Sequence, residues 1–271
     1  MYRLSAEKRE RGTRGERDRK RKGNPLISNL WLLGKRGAKL SELLFFPSFC
    51  RLCHRLLDQL GERVICRPCW QRIHPPNLPA CSTCGRYGEI KTGQDVCFNC
   101  QQEKWSFSFH RSCALYQGEI KEIILLFKYA RIKFLGKDLA NLALSFLANS
   151  FLWEGLDLVV PVPLYPKRKK ERGFNQAEEL ARHICRAKKI PLAPRALIKI
   201  KDNLPQASLE AKERRQNVKG VYELIQKDQI KDKTILLVDD VFTTGSTLNE
   251  CSLILKKAGA REVRALTIAQ A

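Results

Sequence analysis

The sequence predicts an α/β protein whose parallel sheet carries helices on both faces, preceded by a small cysteine-rich module. Three observations predict it. Eight cysteines fall into four Cys-x-x-Cys pairs between residues 50 and 100. From Leu156 onward, apolar runs of strand length alternate with helical periodicities, the pattern of a parallel sheet. An apolar content of 44% in 271 residues suffices for two domains and a sizeable core.

The cysteine pairs are Cys50/Cys53, Cys66/Cys69, Cys81/Cys84 and Cys97/Cys100, with gaps of 12, 11 and 12 residues. A Cys-x-x-Cys turn sets two thiolates on one edge of a tetrahedron, and two turns complete an S₄ shell for Zn²⁺. Two structural zinc sites are expected. Pairing first with second and third with fourth is the simple arrangement, and a cross-braced one is the alternative. A closed Cys₄ site has no open position for water, so it holds structure rather than catalyses. A disulfide framework is disfavoured by three further unpaired cysteines and by the lack of a secretory pattern, since Leu26–Gly34 is too short and interrupted for a signal core. Cys113, Cys185 and Cys251 read as small core residues.

"ALYQGEIKEIILLFKY" reads as a strand passing into a helix. "LANLALSFLANSFLW" (Leu139–Trp153) reads as a buried amphipathic helix, too short to span a membrane. "LDLVVPVP" is a buried strand, and "FNQAEELARHIC" repeats apolar residues on one helical face. "ALIKI" and "TILLV" are strands, "TLNECSLILKKAGA" is a helix closed by Gly259, and "EVRALTIA" is a last strand.

The stretch "ILLVDDVFTTGSTL" (Ile235–Leu248) carries the chemistry. Ile235–Val238 form a central strand, and the chain is expected to leave the sheet at Asp239. Ligands bind beyond the carboxyl ends of such strands. Thr243, Thr244, Gly245, Ser246 and Thr247 make a tight loop opening the next helix, where backbone N–H groups and the helix dipole favour an anion. The carboxylates of Asp239 and Asp240 stand beside that cradle, ready to accept hydrogen bonds from a sugar diol. Two neighbouring carboxylates are expected to repel each other when the site is empty, so replacing both is not expected to harm folding. A P-loop is the competing phosphate motif, and no G-x-x-x-x-G-K-[ST] occurs.

This order of apolar run, acid pair and hydroxyl-rich loop resembles the signature of type I phosphoribosyltransferases, which bind phosphoribosyl pyrophosphate (PRPP). With "PVPLYPKRKKERGFNQ" (Pro161–Gln176), "QASL" (Gln206–Leu209), "ERRQNVKG" (Glu213–Gly220) and the four cysteine pairs, residues 45–271 resemble the ComF family. That family joins an N-terminal double zinc ribbon to a phosphoribosyltransferase domain and is associated with natural competence. Residues 1–46, outside the resemblance, read from their charge and missing amphipathic period as a basic, largely disordered arm, and the resemblance implies the zinc ribbons over 47–105 and a phosphoribosyltransferase domain over 106–271. It implies that Asp239 and Asp240 hold the ribose 3- and 2-hydroxyls, and that Thr243–Thr247 hold the 5-phosphate. Pro163 and Leu164 offer backbone to pyrophosphate, with Lys167, Arg168 and Arg172 as charge donors and Mg²⁺ neutralising the leaving group. The loop Lys201–Arg215 closes over the site as a hood.

Purine-base enzymes of this class usually carry an acid where Thr243 stands, and threonine cannot handle that proton. Purine salvage is therefore disfavoured, and the acceptor is left open. No residue is singled out as catalytic; His54 and His74 flank the zinc knuckles, and His110 and His183 belong to no motif, His183 reading as structural. PRPP turnover and PRPP sensing without catalysis require the same residues.

The net charge is +22, and ten Lys/Arg against four acids in residues 1–23 supply +6 of it. Such a surplus attracts polyanions. The charge leaves nucleic acid, phosphorylated substrates and anionic lipid open, and the family resemblance implies single-stranded DNA or a DNA-uptake helicase as partner, in the cytoplasm.

Overall fold

The computed structural model describes residues 47–91, 93–202 and 220–271. The expected disordered arm, the QASL segment and nearly all of the expected hood loop lie outside the described residues.

The described chain opens with two compact cysteine loops. In each, one Cys-x-x-Cys turn faces a second that enters a short helix: α1 (Arg67–Gln71) after Cys66 and α2 (Phe98–Gln102) after Cys97. There follow β1 (Phe109–Leu115), α3 (Gly118–Tyr129), α4 (Leu135–Phe146), β2 (Leu158–Pro161), α5 (Pro166–Arg172) and α6 (Gln176–Lys188). The chain closes with β3 (Leu197–Lys199), β4 (Tyr222–Leu224), β5 (Thr234–Phe242), α7 (Ser246–Lys257) and β6 (Glu262–Gln270).

Four strands form the parallel sheet in the order β1-β6-β5-β2. Alternation along β5 sends Leu236 and Val238 to one face and Ile235 and Leu237 to the other. The first face is covered by α3, α4 and α6 through Ile123, Phe127, Leu139 and Leu180. The second is covered by α7 through Leu248, Cys251 and Leu255. Helices lie on both faces, as the alternation predicts. Cys113, Cys185 and Cys251 are buried, in keeping with small core residues.

The cysteine loops divide between the two faces. Leu57, Cys50, Cys66 and Cys69 join the core under α3, whereas Cys81, Cys84 and Cys97 join the core under α7. Neither loop is a bead on a string.

Three expectations need correction. The helix read over Leu139–Trp153 instead starts at Leu135 and ends at Phe146, and Phe151–Trp153 form a separate 3-10 turn capped by the Ser150 hydroxyl, which accepts from the Leu152 N–H at 3.2 Å. Ser150 offers its side chain to that turn, which competes with helix continuation. Second, the strand in Ala196–Ile200 does not join the parallel sheet. It pairs antiparallel with β4 in a two-stranded sheet, with Ile198 left 37% exposed. Third, β5 does not end at Val238. Its ladder with β6 continues through Asp239↔Thr267 to Phe242↔Gln270, so the acid pair is part of the strand. The polar side chains did not break the backbone pairing, because a parallel ladder is satisfied by main-chain groups alone.

Candidate functional site

The acid pair, the hydroxyl-rich loop and the Pro163–Leu164 turn meet at the carboxyl end of the sheet, where neighbouring β2 and β5 deliver them. The Val162 N–H donates to the Val238 carbonyl at 2.9 Å, one step past the end of β2. Pro163 and Leu164 then turn the chain into α5, whose second residue is exposed Lys167. Arg168 pairs with Asp202 at 3.2 Å.

The "RGFNQ" run is built around one turn. Gly173 closes α5 in the left-handed region at φ 83°. Phe174 is buried against Phe127, with ring centroids 5.2 Å apart. Asn175 caps α6 by accepting from the Ala177 N–H at 3.0 Å and donates to the Val162 carbonyl at 3.0 Å, which ties this turn to the end of β2. Arg172 donates to Gln176 Oε1 at 3.1 Å and lies over the Tyr129 ring at 5.3 Å. Gln176 is 2% exposed, and its Nε2 has no hydrogen-bond partner among the described residues. A buried orphan donor is costly.

The loop after β5 is set by Gly245, the N-cap of α7, at φ 79°. A Cβ there would stand 2.7 Å from Phe242 Cζ and 2.9 Å from Trp105 Cη2. Glycine is required twice over, by backbone sign and by space. The Thr244 and Ser246 hydroxyls lie 2.8 Å apart, both beside the first turn of α7. Thr243 is exposed.

The two acids are not alike. Asp240 pairs with Lys128 at 2.7 Å, and the two side chains are 12% and 17% exposed. Burial opposes the Lys128 charge, but Asp240 outweighs it and raises its pKa. Asp239 has no such partner among the described residues. Burial, then the neighbouring Asp240 charge, push it up to about 7, although its Oδ1 accepts from the Asp240 N–H at 2.8 Å. Lys199 of β3 faces the site and is lowered by burial, against the pull of Asp202 and Asp239. The expected mutual repulsion of the pair thus falls on Asp239 alone, since Asp240 is neutralised by Lys128. Sequence reasoning missed Lys128 and Lys199. Each lies on an apolar segment far from the motif, and only the fold brings it there.

The eight paired cysteines gather into two groups, Cys50/Cys53/Cys66/Cys69 and Cys81/Cys84/Cys97/Cys100, each with its sulfurs within 4.8 Å of one another. The simple pairing holds, and the cross-braced one does not. Donors also surround the sulfurs, which fits a thiolate shell: the Cys66 N–H points at Cys50 Sγ (3.4 Å), the Cys97 N–H at Cys81 Sγ (3.3 Å) and Trp105 Nε1 at Cys100 Sγ (3.1 Å). Elemental analysis of purified protein is expected to give about two zinc ions per chain, and about one after Cys66→Ser. One or none in the parent chain refutes the double site.

Of the histidines, His183 meets Glu179 Oε1 at 3.1 Å within α6, a structural contact. His110 is fully buried. Its Nδ1 donates to the Cys84 carbonyl at 2.8 Å, its Nε2 meets the Thr267 hydroxyl at 2.9 Å, and its ring stacks on Phe242 at 4.3 Å. Burial holds its pKa down to about 3, so it is neutral and welds the second cysteine loop to the sheet.

The family model of the phosphoribosyl transferase domain matches residues 170–271, and that of the double zinc ribbon domain matches residues 42–101. Competence protein F of Haemophilus influenzae is 32% identical, over 84% of this chain and 99% of its own length. DNA utilization protein YhgH of Escherichia coli K12 is 28% identical, over 82% of this chain and 96% of its own. Competence protein ComFC of Bacillus subtilis is 27% identical, over 76% and 84%. No helix among the described residues is long and apolar enough to cross a membrane. Two zinc ribbons leading into a phosphoribosyltransferase fold, in a chain that aligns with competence protein F over nearly all of that protein's length, place this protein in the ComF family.

Proposed function

We propose that this chain binds PRPP with Mg²⁺ at the carboxyl end of its sheet and transfers the phosphoribosyl group, in a role linked to competence and DNA utilization. The observation that carries the reading is the convergence of a partly exposed carboxylate, Asp239, with the Gly245 loop at the start of α7. In this reading Asp239 and Asp240 accept from the ribose hydroxyls and Thr243–Thr247 cradle the 5-phosphate. Pro163, Leu164, Lys167, Arg168 and Arg172 surround the pyrophosphate.

Mg²⁺, entering with PRPP, would neutralise charge on the leaving pyrophosphate. The chain's own part is to orient. Displacement at ribose C1 builds positive charge on the sugar, and an ionised Asp239 next to the diol stabilises it. Thr243 offers no proton acceptor, so the acceptor substrate must bring a nucleophile needing none from that position. Titration calorimetry of PRPP with Mg²⁺, followed by pyrophosphate release across a panel of acceptors, tests both halves. Absence of PRPP binding refutes the reading, and binding without release leaves a PRPP sensor. Eight thiols kept for metal suit a reducing cytoplasm.

The competence and DNA-utilization names of the relatives, together with the charge of +22, support single-stranded DNA as the polyanion partner. Two exposed rings carry guanidinium groups, one ending α3 and one just before α4: Tyr129 under Arg172 at 5.3 Å and Phe134 under Arg63 at 5.8 Å. Rings flanked by cations are what sequence-tolerant stacking requires. Affinity is expected to fall steeply with salt, with a log–log slope of roughly 0.7 per phosphate contact, and to depend little on sequence. A chain lacking residues 1–23 is expected to bind more weakly with a flatter slope. An unchanged slope shows that the arm makes no phosphate contacts.

A further inference from the structure

We propose that the second zinc ribbon is part of the 5-phosphate site: Arg86 and Trp105 are positioning residues that hold the Thr243–Thr247 loop in its anion-binding shape. The inference rests on the PRPP reading above and names what shapes that site from outside the α/β sheet.

Arg86 follows Cys84 in the second ribbon, yet its Nη2 donates to the Thr243 carbonyl at 3.0 Å, 157 residues away in sequence. Its guanidinium lies over the Phe242 ring at 5.7 Å and its Nη1 meets Glu89 at 3.3 Å, which fixes the fork from three sides. A trans peptide is planar, with its C=O and the following N–H on opposite sides. Holding the Thr243 carbonyl toward the ribbon therefore turns the Thr244 N–H away from it, toward the cradle.

Trp105 makes a second link. Its Nε1 donates to Cys100 Sγ, a ligand of the second cysteine group, at 3.1 Å. Its far edge closes against Gly245, where a Cβ would come within 2.9 Å of Cη2. One residue on, the Ser106 N–H donates to Asn249 Oδ1 in the first turn of α7 at 2.7 Å. Metal held at Cys100 thus fixes an indole that abuts the glycine on which the loop turns. The first cysteine group makes no such contact with the loop among the described residues, since it packs under α3 on the other face. Zinc in the second ribbon and phosphate in the loop stabilise one shared arrangement, so by linkage each tightens the other.

The test uses the full chain and three probes: PRPP with Mg²⁺, ribose 5-phosphate, and inorganic pyrophosphate with Mg²⁺. Arg86→Ala is expected to retain two zinc ions and to lose about tenfold or more in affinity for PRPP and ribose 5-phosphate, the scale of one charge-assisted hydrogen bond. Pyrophosphate affinity is expected to stay unchanged. Ribose 5-phosphate is also expected to slow chelator extraction of one of the two zinc ions, a protection that Arg86→Ala removes. Undiminished ribose 5-phosphate binding in Arg86→Ala, or equal losses for all three probes, overturns the positioning role while leaving the PRPP reading intact. Trp105→Phe, which keeps a ring but loses the bond to Cys100, is expected to weaken the same two probes, and equal affinity there overturns the zinc-to-loop link. A parent chain that binds none of the three overturns both readings.

Discussion

Asp239→Asn combined with Asp240→Asn is expected to weaken PRPP binding by on the order of a hundredfold or more, because two charge-assisted bonds at about 1.5–3 kcal/mol each are lost. Calorimetric titration in the presence of Mg²⁺ measures it, and parental affinity in the double variant removes the acid pair from the site. The single variants are expected to separate in stability, because their surroundings differ. Asp240→Asn strands the Lys128 ammonium, whose side chain is 17% exposed, and breaking a buried pair costs roughly 3–5 kcal/mol, less here for the residual solvent contact. Asp239→Asn removes a carboxylate that the fold disfavours.

The sign for Asp239 follows from its raised pKa of about 7. Below the unfolded value of about 3.9 both states are protonated and the group contributes nothing. Between there and 7 the folded state keeps a proton that the unfolded chain has lost, so stability falls as pH rises through that window and levels off above it. Urea unfolding is expected to place Asp239→Asn above the parent at pH 8, with the difference closing toward pH 4. Equal curves at pH 8 refute the strained carboxylate. The same proton gives a binding signature: if the ribose diol takes the ionised form, PRPP binding near pH 7 releases protons, visible as buffer-dependent heats.

The legible part of the site was local. The zinc ligands could be read because Cys-x-x-Cys carries its geometry in its spacing. The acid pair and glycine loop could be read because a strand, a turn and a helix start in fixed order along one stretch. The illegible part was long-range. Nothing near Lys128 distinguishes it from the solvated lysines of a charged helix, and it becomes a partner of Asp240 only when α3 packs beside β5. Arg86 belongs to no sequence motif, and neither does its target, a backbone carbonyl. His110 belongs to no motif, yet burial among Cys84, Thr267 and Phe242 makes it a weld. In the fold, the strand at Leu197–Lys199 was found but misplaced, since a three-residue run carries too little periodicity to say which sheet it joins. Strand β5 was cut short because two aspartates resemble a strand end when only side chains are considered.

Gly245→Ala is expected to impair folding and binding together. Three terms add. The residue sits at φ 79°, where a Cβ costs about 1–2 kcal/mol. The new methyl would stand 2.7 Å from Phe242 Cζ and 2.9 Å from Trp105 Cη2. Neither ring can swing away cheaply. Phe242 is stacked on His110 at 4.3 Å, and Trp105 is stacked on Phe107 at 5.0 Å and bonded to Cys100. Overpacking of that kind costs roughly 1–3 kcal/mol more. The total is about 2–5 kcal/mol. Gly155→Ala separates the terms, for Gly155 also has positive φ (59°) but nothing within 4 Å of its Cβ position, so it should cost the backbone part alone. Binding should divide the two still more cleanly. To seat the methyl, the loop must move off the rings, and the N–H groups that open α7 lose their common aim, so PRPP affinity falls by at least tenfold in Gly245→Ala and not at all in Gly155→Ala. Urea unfolding and titration of both variants decide it: equal destabilisation of the two would mean that the rings yield and that the second ribbon does not brace the loop.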